Sequence, residues 1–161
     1  MASLRIGVLG FILDGGISAV VTSRHPEWFK SMVTWSSVGD FVADFSAILG
    51  QEAFDTAEAK GIVGLDLGFR TIALKKGFFD SLAMFDIASL VSEFKGSYLA
   101  IAGSKDFSAA YAPGFVGSAA SKVKEAWIIP EGDHIYGVLG PDQSMADSVI
   151  AKTAAWFAKN L

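Results

Sequence analysis

Apolar and polar positions along this chain alternate between two periods. Residues 5–13 form a β-branched, apolar run that closes on Asp14-Gly15-Gly16, and the segment from Ile17 to His25 then carries helical spacing up to Pro26. This predicts a buried strand, a sharp turn and a helix stopped by proline, because the residue before a proline is pushed out of the helical region. A second strand is expected at residues 31–35, bounded by Ser36-Ser37 and Gly39-Asp40, with a helix over residues 41–49. A strand, helix and strand in this order favour a parallel sheet with a right-handed crossover.

Residues 51–95 read as helical throughout, with Ile72, Phe78, Phe79, Leu82, Phe85, Leu90, Val91 and Phe94 as apolar stripes interrupted by Gly61, Gly64 and Gly68. They are expected as excursion helices over one sheet face. A third strand at 98–102 leads into Gly103-Ser104-Lys105-Asp106, and a fourth at 126–129 leads into Pro130-Glu131-Gly132-Asp133-His134. A last helix over 143–159 would bury Met145, Val149, Ala154 and Phe157. The expected fold is therefore α/β, a three-layer, mostly parallel open sheet with helices on both faces. In such sheets functional groups gather outside the carboxyl ends of the strands, which puts residues 10–16, Ser36-Ser37, Asp106 and His134 on one rim.

Composition narrows the class. At 161 residues the chain is expected to form one domain, residues 1–161. Hydrophobic residues make up 52% and charged ones 19%, with mean hydropathy +0.43, so either the core is large or an apolar surface needs a partner. Charged residues interrupt every apolar stretch before the roughly 20 residues that a membrane-spanning helix needs. The first apolar segment lacks a small-residue cleavage site, and a cytoplasmic location is the expectation. With no cysteine there can be no disulfide, thiolate nucleophile or sulfur-ligated metal. A net charge of −4 without a basic cluster argues against nucleic acid as a partner, the pair Lys75-Lys76 being the densest basic spot and reading as a solvated helix face.

The order glycine-rich strand-to-helix turn, acid after one strand, histidine after the next is that of an α/β-hydrolase. Local text agrees: Ser23-Arg24-His25-Pro26-Glu27 after the turn helix, Met32-Val33-Thr34-Trp35-Ser36-Ser37, Phe78-Phe79-Asp80-Ser81-Leu82, Gly103-Ser104-Lys105-Asp106, Gly132-Asp133-His134, and Thr153-Ala154-Ala155-Trp156-Phe157. Over nearly its whole length the chain resembles the C-terminal half of esterase-, lipase- and peptidase-like α/β-hydrolases. The resemblance implies that His134 is the base and Asp106 the acid that orients it, with a small ester or acyl compound as ligand. It leaves Asp133 as a turn residue and His25 as a surface helix end.

The resemblance breaks at the nucleophile. The family places serine in Gly-x-Ser-x-Gly, whereas this chain reads Gly10-Phe11-Ile12-Leu13-Asp14-Gly15-Gly16. Aligned from the strand, Ile12 stands in place of serine; aligned from the paired glycines, Leu13 does. Isoleucine has no group to attack a carbonyl and resists positive φ, so both the chemistry and the turn are expected to be lost. Asp14 is the remaining candidate nucleophile, as aspartate is in dehalogenase-like relatives, with a helix N-cap as its plainer role. Ser18 and Ser36 read as structural. The second oxyanion donor of the family comes from a loop that this chain does not include.

No cofactor is expected. Gly10 to Gly15 has the opening spacing of a Walker A loop, but Gly16-Ile17 stands where lysine and a hydroxyl are required, and no histidine and carboxylate cluster has metal-ligand spacing. A first strand without its family neighbours would expose an apolar edge, so a homodimer or higher oligomer through that edge is expected. Two functions follow: an esterase-like protein with weak or absent hydrolysis, or a non-enzymatic oligomeric scaffold that keeps the old rim as a pocket.

Overall fold

A computed structural model describes residues 5–68 and 70–161. In chain order its elements are β1 (Ile6–Phe11), α1 (Leu13–Arg24), β2 (Phe29–Trp35), α2 (Phe41–Leu49), α3 (Gln51–Lys60), β3 (Ile62–Asp66) and β4 (Thr71–Lys75). Then follow α4 (Lys76–Leu82), α5 (Ile87–Glu93), β5 (Ser97–Gly103), a 3₁₀ turn (Phe107–Ala110), α6 (Ala112–Ser118), β6 (Lys124–Ile129) and α7 (Ser144–Asn160). They fall into two compact units, one of Met1–Gly39 with Ile87–Leu161 and one of Asp40–Asp86.

The first unit is a four-stranded sheet of order β1-β2-β5-β6 in which every neighbouring pair is parallel. Helices cover both of its faces, as the strand and helix alternation requires. On one face Val33, Leu99, Ile101 and Ile129 pack with Val149 and Trp156 of α7. Two indole donors fix the seating of that helix: Trp156 Nε1 donates to Ser31 Oγ at 3.1 Å, and Trp35 Nε1 donates to Thr153 Oγ1 at 3.0 Å. Thr153 and Trp156 are buried whereas Ala154 is exposed, so the inner stripe of α7 differs from the expected one by a rotation of the helix. Its buried residues recur at spacings of three and four, and the paired hydroxyl of Thr153 makes a polar position tolerable there.

The opposite face is packed by α1, α5 and α6. Met32 of β2 meets Thr22 of α1, and Thr34 hydrogen-bonds the phenol of Tyr98 at 3.1 Å. Among the described residues no buried side-chain nitrogen or oxygen lacks a hydrogen-bond partner. The first strand ends at Phe11 and its helix begins at Leu13, four residues earlier than the helical spacing suggests. Gly15 and Gly16 lie inside the helix rather than in the turn before it.

The second unit corrects the reading of residues 51–95 as helical throughout. Gly61, in the left-handed region at φ 77°, ends α3, and β3 and β4 then form an antiparallel pair with Ile62 opposite Lys75 and Asp66 opposite Thr71. Ile72, assigned above to a helical stripe, lies on β4. Side chains of β4 alternate between exposed and half-buried, a period of two that the intervening glycines obscure. The core of this unit is Ala53, Ala57, Val63 and Phe79, with Phe54, Leu65, Leu74 and Phe78 packed on it. Asp40 caps α2, its carboxylate accepting from Ala43 N at 2.9 Å. Lys75 and Lys76 sit at a strand-to-helix junction, where Lys76 pairs with Glu58 at 2.9 Å and with Asp80.

Candidate active site

The turn between β1 and α1 keeps a strained backbone. Ile12 has φ 57° and ψ −114°, a conformation that a β-branched residue adopts only when its surroundings impose it. Three hydrogen bonds impose it: Ile12 N donates to Trp35 O at 3.0 Å, and Ile12 O accepts from Gly15 N at 3.1 Å and Val38 N at 3.2 Å. Two glycines let the chain close up on either side. A Cβ on Gly10 would lie 2.0 Å from Asp14 O, and one on Gly15 would lie 2.4 Å from Ser37 Oγ. The expectation that the turn is lost with the serine is therefore overturned. The turn is held from outside Ile12, and its positive φ marks Ile12, not Leu13, as the residue at the elbow.

Asp14 is not the N-cap either. That position belongs to Ile12, and Asp14 lies exposed in the first turn of α1, where its charge complements the positive end of the helix dipole. Its carbonyl accepts from Ser18 Oγ at 2.7 Å, the bond that occupies Ser18. His25 is the C-cap residue of α1 and stacks on Trp28, with ring centroids 4.0 Å apart.

Asp106 and His134, 28 residues apart in sequence, are brought together at the ends of β5 and β6. Lys105 N donates to Gly132 O at 2.9 Å and Ser104 N to Ile129 O at 2.9 Å, tying the two loops to each other. His134 Nδ1 lies 2.9 Å from Asp106 Oδ1. The carboxylate side chain is only 3% exposed and the imidazole 34%, so Asp106 is sheltered while His134 reaches solvent. With Nδ1–H turned to the carboxylate, the basic lone pair of a neutral imidazole resides on Nε2.

The acid has further partners. Ser108 Oγ donates to its second oxygen. Burial pushes the Asp106 carboxyl up, but hydrogen bonds with His134 and Ser108, the charge of His134 and a smaller contribution from the nearby Ser36 hydroxyl outweigh it and hold its pKa below the ordinary carboxylate value. Ser36, itself at φ 43°, donates to the phenol of Tyr136 at 2.9 Å, and that phenol donates to Ile101 O at 3.0 Å. Burial raises the Tyr136 hydroxyl to about 12. Asp133 accepts from the backbone N–H of Ile135 at 3.1 Å and of Gly137 at 2.8 Å, which is the turn role expected of it.

Aromatic rings flank the base. Phe11 lies 6.0 Å and Phe107 5.5 Å from the His134 ring, centroid to centroid. Phe11 is the neighbour of Ile12, so the elbow and the histidine share one rim of the sheet. The sequence reading missed Phe11, Phe107, Ser108 and Tyr136. Phe107 and Ser108, next to Asp106 in the chain, had a local signal; Phe11 and Tyr136 are joined to it only by the fold. No group of three histidine or carboxylate side chains suited to a metal ion occurs among the described residues.

No protein-family profile matches the chain, and no curated protein matches it in sequence. Solved structures do. The esterase domain of a Rhodothermus marinus protein superposes with TM-score 0.69 at 23% identity, covering 93% of this chain and 59% of that one. Mouse alpha/beta hydrolase domain-containing protein 10 gives TM-score 0.68 at 14% identity, covering 95% of this chain and 62% of its own. Paleococcus ferrophilus monoacylglycerol lipase gives 0.67 at 12% identity, covering 98% and 70%. This chain thus spans about three fifths of the length of the first two. It has a partial α/β-hydrolase fold, running from the strand, turn and helix around Ile12 to the strand ends that carry Asp106 and His134.

Proposed function

We propose that this chain is an esterase-type α/β-hydrolase domain that keeps the acid Asp106 and the base His134 but has no serine nucleophile, so that hydrolysis is weak or absent. The observation that carries this reading is the pairing of a formed dyad, His134 Nδ1 to Asp106 Oδ1 at 2.9 Å, with an isoleucine at the positive-φ elbow. Without a nucleophile no acyl-enzyme can form. What remains is His134 Nε2 taking a proton from water as that water attacks a bound small ester, with Asp106 stabilising the imidazolium. Loss of a triad nucleophile lowers the rate by roughly 10⁶, and binding and dipoles alone leave about 10³ over water. The test is turnover of p-nitrophenyl acetate by the wild type and by His134→Ala. Turnover that disappears with His134 supports the reading; wild-type turnover well above the no-protein background that His134→Ala retains in full contradicts it.

One observation favours the scaffold reading as a second possibility. The two sheet edges differ in chemistry. β6 carries Lys124 and Glu125, and Glu125 pairs with Lys152 at 2.7 Å, the charged protection usual for a solvent-facing edge. β1 carries no charge, and Ile6, Leu9 and Phe11 on it are exposed. A second copy paired antiparallel along β1 would continue the sheet and cover these side chains. Sedimentation at micromolar concentration tests it: a dimer that Leu9→Lys dissociates supports this reading, and a wild-type monomer contradicts it.

A further inference from the structure

A cleft lies at the other end of the sheet from His134, where the parallel strands begin. It measures about 870 Å³ and is lined by residues just before or at the start of all four strands, among them Arg5, Lys30, Lys95, Ser97 and Lys122. Arg5 is engaged, its guanidinium donating to Leu161 O. The three lysines are exposed, and among the described residues none is ion-paired to a carboxylate side chain. They come from distant parts of the chain. Gly96 lets them converge, because a Cβ there would lie 2.6 Å from Lys30 O; β5 can therefore enter the sheet against the backbone of Lys30 and set Lys95 beside it.

Cations also gather at such ends for a simpler reason, since helices in this fold finish there and lysine near a helix C-terminus offsets the dipole. Lys124 does that, its Nζ donating to Gly117 O at 3.0 Å and Ala119 O at 2.7 Å at the end of α6. Among the described residues Lys95 and Lys122 donate to no carbonyl, and Lys30 makes only a 3.5 Å contact to Glu27 O. Three exposed lysines line this one concavity, and among the described residues no carboxylate side chain pairs with them, an arrangement that favours an anion. The arrangement is more notable in a chain of net charge −4.

We propose that this cleft binds a compact polyanion of the polyphosphate class, with the ammonium groups of Lys30, Lys95 and Lys122 as its ligands. The site is independent of the hydrolytic reading, because none of its residues lies at the His134 rim. Lysine suits it as a set of mobile point charges, which serve a phosphate chain without requiring bidentate geometry.

Calorimetric titration with inorganic tripolyphosphate at low ionic strength tests the site. The wild type should bind with a dissociation constant of about 100 µM or tighter. Each of Lys30→Glu, Lys95→Glu and Lys122→Glu should weaken binding by roughly fivefold, and the triple variant by about a hundredfold. A control carrying Lys60→Glu, Arg70→Glu and Lys75→Glu, with the same change in net charge, should bind like the wild type. Binding by the wild type should also fall steeply with salt, a readout that needs no variant. No wild-type binding, equal loss in the control, or association only with phosphoinositide-containing vesicles and not with free tripolyphosphate would overturn the proposal.

Discussion

His134 and Asp106 form a hydrogen-bonded pair, Nδ1 to Oδ1 at 2.9 Å, in which the acid is buried and the base open to solvent. The acid's pKa is lowered on balance, which makes the pair a contributor to stability whose pH dependence has a definite sign. A carboxyl with a depressed folded-state pKa binds protons less well when folded, so its contribution is present above the ordinary carboxylate pKa, about 4, and is lost as pH falls through the lower folded value. The difference in unfolding free energy between wild type and Asp106→Asn, measured by urea titration, should shrink as pH falls below about 4. A difference that grows on acidification would contradict this assignment of the acid.

The strain at Ile12 predicts an unusual substitution effect. Holding a β-branched residue at φ 57° costs on the order of 1–3 kcal/mol, which glycine would not bear. Burial of the half-exposed side chain is worth about 1 kcal/mol. Ile12→Gly should therefore leave stability unchanged or raise it by up to about 1 kcal/mol in chemical denaturation. An ordinary partly buried isoleucine would lose stability on the same change.

Gly10 should behave in the opposite way. An added Cβ would meet backbone, Asp14 O at 2.0 Å, and backbone cannot rotate aside as a side chain can. Gly10→Ala should destabilise by about 3 kcal/mol, visible as a lowered midpoint in thermal unfolding.

Two buried phenols set the alkaline limit. Burial raises Tyr98 and Tyr136 to about 12, against smaller opposing effects of the hydrogen bonds with Thr34 and Ser36. Each therefore binds its proton more tightly in the folded state, so its contribution is full below the ordinary pKa near 10 and disappears as pH rises through about 12. Stability should fall across that interval, and the fall should be smaller in the double variant Tyr98→Phe/Tyr136→Phe. Denaturation followed by circular dichroism at successive pH values measures both.

Strand and helix periodicity made the four-stranded sheet and the convergence of Asp106 and His134 legible, because each acts through a local pattern ending in a turn. The hairpin of β3 and β4 was not legible, since Gly61, Gly64 and Gly68 read equally well as breaks in a helix and as punctuation between strands. Ile12 misled for a different reason. Its side-chain preference opposes the turn, but the bonds to Trp35, Val38 and Gly15 that override it come from tertiary structure. The lysine cleft is a further case: Lys75-Lys76 is the densest basic text, yet Lys76 is neutralised by Glu58 and Asp80, while Lys30, Lys95 and Lys122 are assembled only by the sheet.

We propose that the positive-φ turn at Ile12 stands on the same rim as Asp106 and His134 and lacks the serine that would make them a triad. Intact-protein mass spectrometry after incubation with a fluorophosphonate measures this most directly, on the wild type, Ile12→Ser, and Ile12→Ser/His134→Ala. The wild type should stay unlabelled, Ile12→Ser should gain one phosphonyl group at position 12, and removal of His134 should slow that labelling by at least about 100-fold. Labelling of the wild type, or an Ile12→Ser protein that folds and remains unlabelled, would contradict it.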